Sequence, residues 1–262
     1  MQAVILAAGE GSRMNHPEGQ PKVLLDLCGQ TLLEHALSAL TAIGVTEFIV
    51  VVGYRGEEIE NWIRHQRLDQ RWPLTVVHNN RWPEGNASSI LAARPYLKDN
   101  RFVVAMGDHL FDPLGVQGFL KVRGDFVGVF DSNPRFVDVA EATKAQSHRG
   151  HVVALGKDLT TFRYVDTGLF LCSRRIFPFI EECLAEGAGT FNEVKRRWIA
   201  KGHILHIFDC QGMFWMDVDT PEDLERAREI LLARLRKSRD GIVARGLNRR
   251  LSIPISHWLV RH

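Results

Sequence analysis

The chain has 262 residues, a formal net charge of +2, 45% hydrophobic and 24% charged residues. That suits one large α/β domain or two small ones, gives no field arguing for nucleic acid, and leaves no uninterrupted apolar run of about 18 residues to span a bilayer. The four cysteines, Cys28, Cys172, Cys183 and Cys210, form no C-x-x-C pair, which excludes the usual zinc and dithiol motifs and suits a reduced, cytoplasmic enzyme.

Val4 to Ala8 is an unbroken apolar run and predicts a buried strand. It has no positive segment before it and ends in a glycine turn, so it is not a signal peptide. The turn, Gly9-Glu10-Gly11-Ser12-Arg13-Met14, is followed by a polar loop and Pro21-Lys22. Glycines leave backbone N–H groups unobstructed, and Arg13 and Lys22 add positive charge, which together suit the phosphates of a nucleoside triphosphate. Neither Gly-Lys-Ser/Thr nor the G-x-G-x-x-G spacing is present. An ordinary turn that binds nothing is the competing reading.

Thr31 to Ile43 predicts a helix stopped by Gly44, with Leu32, Leu33, Ala36, Leu37 and Leu40 at helical spacing. Strands follow at 47–53, 74–77 and 102–106, separated by helices at 57–65 and 87–97. The strands are apolar runs rather than alternating ones, so the sheet should be parallel and covered on both faces, with right-handed crossovers. Ligands of such sheets sit at the carboxyl ends of the strands. The glycine turn and Gly107-Asp108 therefore open onto one edge, where Asp108 could hold a hard cation or simply form a turn. A strand at 126–130 precedes an antiparallel part with short strands at 142–145, 151–155 and 167–172. Helices at 175–185 and 191–201, a strand at 204–208 and a helix from Thr220 to about Lys237 complete the chain, with Thr220 as N-cap and Pro221 at the first helical position.

Leu6-Ala7-Ala8-Gly9-Glu10-Gly11-Ser12-Arg13-Met14 with Pro21-Lys22 resembles the signature of the sugar nucleotidyltransferase family. The resemblance implies a Rossmann-like three-layer αβα nucleotidyltransferase (GT-A-like) fold over 1–238, its mixed sheet mostly parallel with a small antiparallel acceptor-side part. It places Leu6, Ala7, Ala8, Gly9, Gly11, Ser12, Arg13 and Lys22 around the nucleotide. Glu84-Gly85-Asn86-Ala87-Ser88-Ser89 resembles the family segment at the nucleobase, which implicates Gly85, Asn86 and Ser88; a helix start capped by Asn86 is the alternative. Trp215 to Asp223 resembles W-x-D-V/T-D/G-T-P-E-D, whose first carboxylate maps to Asp217 and would hold Mg²⁺ with Asp108. Asp219, Glu222 and Asp223 read as loop-ordering or helix-capping residues. By local context Lys157 would reach the acceptor phosphate, and Asp166, Thr167 and Gly168 would border the acceptor. The implied reaction is attack of a phosphate monoester on the α-phosphorus of the triphosphate, with Arg13 neutralising the leaving pyrophosphate and Lys22 the α-phosphate.

The compact length, Gly156-Lys157 and the Asp217-to-Pro221 segment resemble the cytidylyltransferase branch. Residues 239–255 resemble the linker of bifunctional proteins that join an inositol-1-phosphate cytidylyltransferase to a membrane CDP-alcohol phosphotransferase and make di-myo-inositol phosphate-type solutes. The expected substrates are thus CTP and inositol 1-phosphate. Residues 239–262 form the expected linker to a membrane domain that this chain lacks, with 245–261 as a basic amphipathic segment. The membrane would be reached through that domain alone, and a homodimer is left open. Asn15 to Gln20, hinged at Gly19, reads as a cover over the triphosphate. Rival substrates are phosphocholine, aminoethylphosphonate or a sugar 1-phosphate with GTP or UTP. A rival class is a nucleotide-binding regulatory domain without turnover.

Overall fold

The computed structural model describes residues 1–14 and 19–244. In chain order the strands and helices are β1 (Gln2–Ala7), β2 (Asp26–Leu27), β3 (Gln30–Thr31), α1 (Leu32–Ala42), β4 (Glu47–Val52), α2 (Gly56–His65), α3 (Leu68–Arg71), β5 (Leu74–His78), α4 (Asn86–Ala92), β6 (Arg101–Met106), β7 (His109–Phe111), β8 (Phe126–Asp131), β9 (Lys144–His148), β10 (His151–Gly156), β11 (Tyr164–Ser173), α5 (Phe177–Ala185), α6 (Phe191–Ala200), β12 (His206–Asp209), β13 (Trp215–Asp217) and α7 (Pro221–Ala244).

The main sheet has nine strands in the order β5-β4-β1-β6-β11-β8-β12-β10-β9. Its β5-β4-β1-β6 part is parallel, as the apolar runs predict. β11 enters antiparallel to both β6 and β8, and β10 antiparallel to both β12 and β9, so these two run against the rest. Side chains of a strand alternate between faces, and β1 divides accordingly. Ala3, Ile5 and Ala7 join Leu33, Leu37 and Leu40 of α1 and Ile59 and Ile63 of α2 in one apolar layer. Val4 and Leu6 join Ile90 of α4, Phe177 and Ile180 of α5 and Phe191 and Trp198 of α6 in the other. This is the expected three-layer αβα arrangement.

Several boundaries move for local reasons. The helix expected over 87–97 ends at Ala92, because Pro95 tightens the next residues into a 3-10 turn. The helix expected from Arg175 begins at Phe177, after a 3-10 turn and with Pro178 in its first turn. The strand expected from Ala142 starts at Lys144, and that from Ile204 starts at His206. Thr220 caps α7 as expected: its Oγ1 accepts from Asp223 N at 3.2 Å, and the Asp223 carboxylate accepts from Thr220 N at 2.9 Å. α7 runs on to Ala244, past the expected end near Lys237 and through the 238/239 boundary. The cover loop expected at 15–20 lies mostly outside the described residues, as does the amphipathic segment at 245–261.

The short elements β2, β3, α3, β7 and β13 escaped the sequence reading. β7 and β13 form a separate antiparallel ribbon, with Asp217 opposite His109 and Trp215 opposite Phe111. A third apolar cluster, including Leu27, Leu32, Leu110, Met216, Val218 and Leu231, packs this ribbon against α7 and the start of α1. The ribbon carries the Asp217–Asp219 segment back to the carboxyl end of β6.

Candidate active site

The glycine turn leaves β1 at its carboxyl end. Gly11 has φ +64°, and a Cβ there would come within 2.9 Å of Lys22 Cβ, so glycine allows both the turn and the close approach of Lys22. Gly9 meets nothing within 4 Å on its Cβ side, which leaves open space against the backbone. Met14 closes a tight turn through its N–H to Gly11 O at 2.9 Å and is buried in the third cluster, which anchors the exposed Ser12 and Arg13.

Gly107 brings β6 against β1: its N–H donates to Leu6 O at 2.9 Å, and a Cβ would lie 2.9 Å from that oxygen. Asp108 follows directly. Its carboxylate pairs with the Lys22 ammonium, which also reaches Asp219 Oδ1 at 2.7 Å. Arg13 donates to Asp219 Oδ2 at 2.7 Å. Two cations and two carboxylates from four separated segments thus meet beside a hollow of about 350 Å³ lined by Leu6, Ala7, Gly9, Gly11, Lys22 and Asp108 among others. Burial alone would lower the Lys22 pKa, but the Asp108 and Asp219 charges outweigh it and hold the ammonium above its usual range. Burial would likewise raise the Asp108 pKa, but the Lys22 charge outweighs it and holds the carboxylate below its usual range.

Not every expected residue joins this centre. The carboxylate bridging the two cations is Asp219, expected only to order the loop. Asp217 sits opposite His109 on the ribbon, and among the described residues its side chain makes no hydrogen bond or ion pair. Val218 N donates to Asp108 O at 3.1 Å, which ties the segment to the end of β6.

The three residues expected at the nucleobase are built into the scaffold. Ser88 is buried; its hydroxyl donates within reach of Arg81 O and Gly85 O, at 2.9 and 2.7 Å, and accepts from Asn79 Nδ2 at 2.9 Å. Asn86 does not cap its own helix; its Oδ1 accepts from Phe191 N at 2.7 Å and ties α4 to the start of α6. Gly85 is glycine because of Gly189: a Cβ would lie 2.4 Å from Gly189 O, and φ is +113°.

The acceptor-side expectations divide in the same way. Lys157 is exposed and lies 3.7 Å from Glu141, not beside the glycine turn's cations. Asp166 faces inward, in a buried ion pair with Lys195 of α6, while its Oδ1 accepts from Gly168 N at 2.9 Å. Thr167 and Gly168 lie against His109, the residue after Asp108: Thr167 O accepts from His109 Nδ1 at 2.8 Å, and the His109 ring packs on Gly168. The sequence reading passed over Lys195 and Asp131. The fully buried Asp131 carboxylate accepts from Asn133 N, Gly212 N and Trp215 Nε1, and so fixes the start of β13. A charged residue inside an apolar strand, Phe126-Val-Gly-Val-Phe130-Asp131, was the available signal.

The chain is 40% identical to a bifunctional IPC transferase and DIPP synthase of Rubrobacter xylanophilus over 94% of this chain and 55% of the relative. It is 36% identical to the protein of that name from Archaeoglobus fulgidus over 99% of this chain and 50% of the relative. The chain thus spans about half the length of these curated relatives. The inositol-1-phosphate CTP transferase of T. maritima has a similar structure, with a TM-score of 0.79 and 25% identity over 88% of this chain and 94% of that one. Residues 3–206 match the model of the MobA-like NTP transferase domain, and the chain belongs to that family of nucleotidyltransferases.

Proposed function

We propose that this domain transfers a cytidylyl group from CTP to inositol 1-phosphate. A phosphate oxygen of the acceptor bonds to the α-phosphorus, the bond from that phosphorus to the bridging oxygen breaks, and CDP-inositol and pyrophosphate result. The observation that carries the reading is the meeting of Arg13, Lys22, Asp108 and Asp219 beside the glycine turn. The names of the relatives and of the T. maritima structure support the choice of nucleotide and acceptor.

Such a transfer needs no covalent nucleophile; positioning and charge neutralisation suffice. The N–H groups around Gly9 and Gly11 and the Arg13 guanidinium would receive the β- and γ-phosphates. Lys22, deeper in the site, would neutralise the α-phosphate and hold the attacking oxygen in line. The donor set fits Mg²⁺: the Asp108 and Asp219 carboxylates already share a cation, the Lys22 ammonium, and carboxylate oxygens suit a hard divalent ion that also binds phosphate. Asp108 would hold it with Asp217 or Asp219, and when bound it would supply further charge neutralisation at the phosphates.

The test is a panel of four nucleoside triphosphates against inositol 1-phosphate, phosphocholine, aminoethylphosphonate and a sugar 1-phosphate, scored by pyrophosphate release. CTP with inositol 1-phosphate should give the highest kcat/KM, and no turnover with CTP would overturn the reading. Asp108→Ala that stays folded and loses turnover separates an enzyme from a domain that only binds nucleotide.

A further inference from the structure

Asp108 and His109 are sequence neighbours that face different hollows. Asp108 lines the one at the phosphate loop with Gly9, Gly11 and Lys22. His109 lines a second with Met106, Thr167, Gly168, Met213 and Trp215. The ring thus stands at the boundary between the triphosphate side and the β11 side of the sheet edge. We infer that His109 is the residue that reads the acceptor alcohol: its Nε2 forms a hydrogen bond with a hydroxyl of a polyhydroxylated phosphate monoester. This rests on the nucleotidyl-transfer reading above and deepens it.

The tautomer follows from the partner. Nδ1 lies 2.8 Å from Thr167 O, and a carbonyl can only accept, so Nδ1 carries a proton. Nε2 is then the ring nitrogen left for a second partner. Its neighbour Asp108 Oδ1 is 3.7 Å away, beyond hydrogen-bond distance. Among the described residues, Nε2 has no hydrogen-bond partner, and it can pair with a hydroxyl brought by the substrate.

The ring is also held rigid. β11 is irregular between Asp166 and Phe170, where its pairing with β8 shifts. Gly168 has φ +78°, and a Cβ there would lie 2.5 Å from His109 Cε1, so the imidazole rests on a bare Cα. Below the ring, Thr167 Oγ1 donates to Val129 O at 2.9 Å, and the buried Lys195–Asp166 pair fixes Gly168 through its N–H. Lys195 and Asp166 are therefore positioning residues, and their burial accounts for a costly ion pair beneath an apolar strand. A choline head group has no O–H or N–H donor and would leave Nε2 unpaired.

The test compares wild type, His109→Ala and His109→Phe on inositol 1-phosphate and its singly deoxygenated analogues, with CTP as donor. His109→Phe keeps the packing on Gly168 and removes both nitrogens. Each variant should raise the acceptor KM about tenfold or more and leave the CTP KM within about twofold, as expected when a substrate hydroxyl loses a hydrogen-bond partner in the site. One deoxy analogue should lose about tenfold in kcat/KM with wild type and nothing further with either variant. An unchanged acceptor KM in a folded variant would overturn the inference, as would equal losses on every analogue in wild type and variants. Wild type that fails to use CTP at all overturns the functional reading with it; wild type that turns over normally while the variants behave like it overturns His109 alone.

Discussion

Replacing Lys195 tests whether a buried charge pair sets the local stability. The Lys195 and Asp166 side chains are 3% and 5% exposed, and the ammonium also lies 4.5 Å from the Phe170 ring centre. Lys195→Met keeps most of the aliphatic stem and removes the charge, leaving the carboxylate with the Gly168 N–H as its remaining partner among the described residues. Breaking a buried pair from one side costs about 3–5 kcal/mol. For a domain of this size each kcal/mol moves Tm by about 2–4 °C, so a fall of roughly 6–20 °C is expected. The double variant Asp166→Asn, Lys195→Met removes both charges and keeps an oxygen for Gly168 N. It should recover about 1.5 kcal/mol or more relative to Lys195→Met alone. Urea unfolding followed by far-UV circular dichroism reads all three proteins. A Lys195→Met protein within about 1 kcal/mol of wild type, or a double variant less stable than the single one, would refute the reasoning.

Gly9→Ala should leave urea stability within about 0.5 kcal/mol, because its Cβ meets nothing within 4 Å, and should raise the CTP KM about tenfold if the open space receives phosphate; an unchanged KM removes Gly9 from the nucleotide site. Gly189→Ala places a Cβ 1.4 Å from Glu84 O, so the two loops must separate at a cost of about 1–3 kcal/mol, read by the same unfolding assay. Burial holds His35 below the usual imidazole range despite its bond to Leu27 O, so the fold favours the neutral ring. That stability is present above the unfolded pKa of about 6.5 and is lost as pH falls through the folded value. His35→Gln, whose Nε2–H can still reach Leu27 O, should flatten the decline in Tm between pH 7 and 5; an equally steep decline would exclude His35 as a main source.

The fold was legible where burial writes a long pattern. The apolar runs of β1, β4 and β6 are covered on both faces, so each shows as an uninterrupted stretch, and α1 shows through Leu32, Leu33, Ala36, Leu37 and Leu40 at helical spacing. The ribbon of β7 and β13 was not, because each strand has three residues, too few for a period. The same limit blurred the carboxylates. Asp217 and Asp219 lie two residues apart, and which of them turns to Lys22 depends on the ribbon's register with His109 and on the cap at Thr220. Arg13, Lys22 and Asp108 were legible because a glycine turn and a strand end each dictate where they face. Asp166, Ser88 and Asn86 turn to partners inside the fold, because a polar residue beside a glycine suits a ligand and suits equally a backbone that has lost its regular partners.

The charges at the phosphate loop carry the argument furthest. Arg13 and Lys22 satisfy Asp108 and Asp219, so the site is close to neutral before any ligand arrives. A triphosphate that takes both cations leaves two carboxylates beside phosphate oxygens, an arrangement of like charges that is costly in a partly buried site. The conflict is relieved if the nucleotide arrives with a cation of its own, since that cation meets the carboxylates as the phosphates meet Arg13 and Lys22. The same four side chains then serve both states by exchanging partners. Asp219, bound to both cations and held next to the capped start of α7, is the side chain best placed to make that exchange.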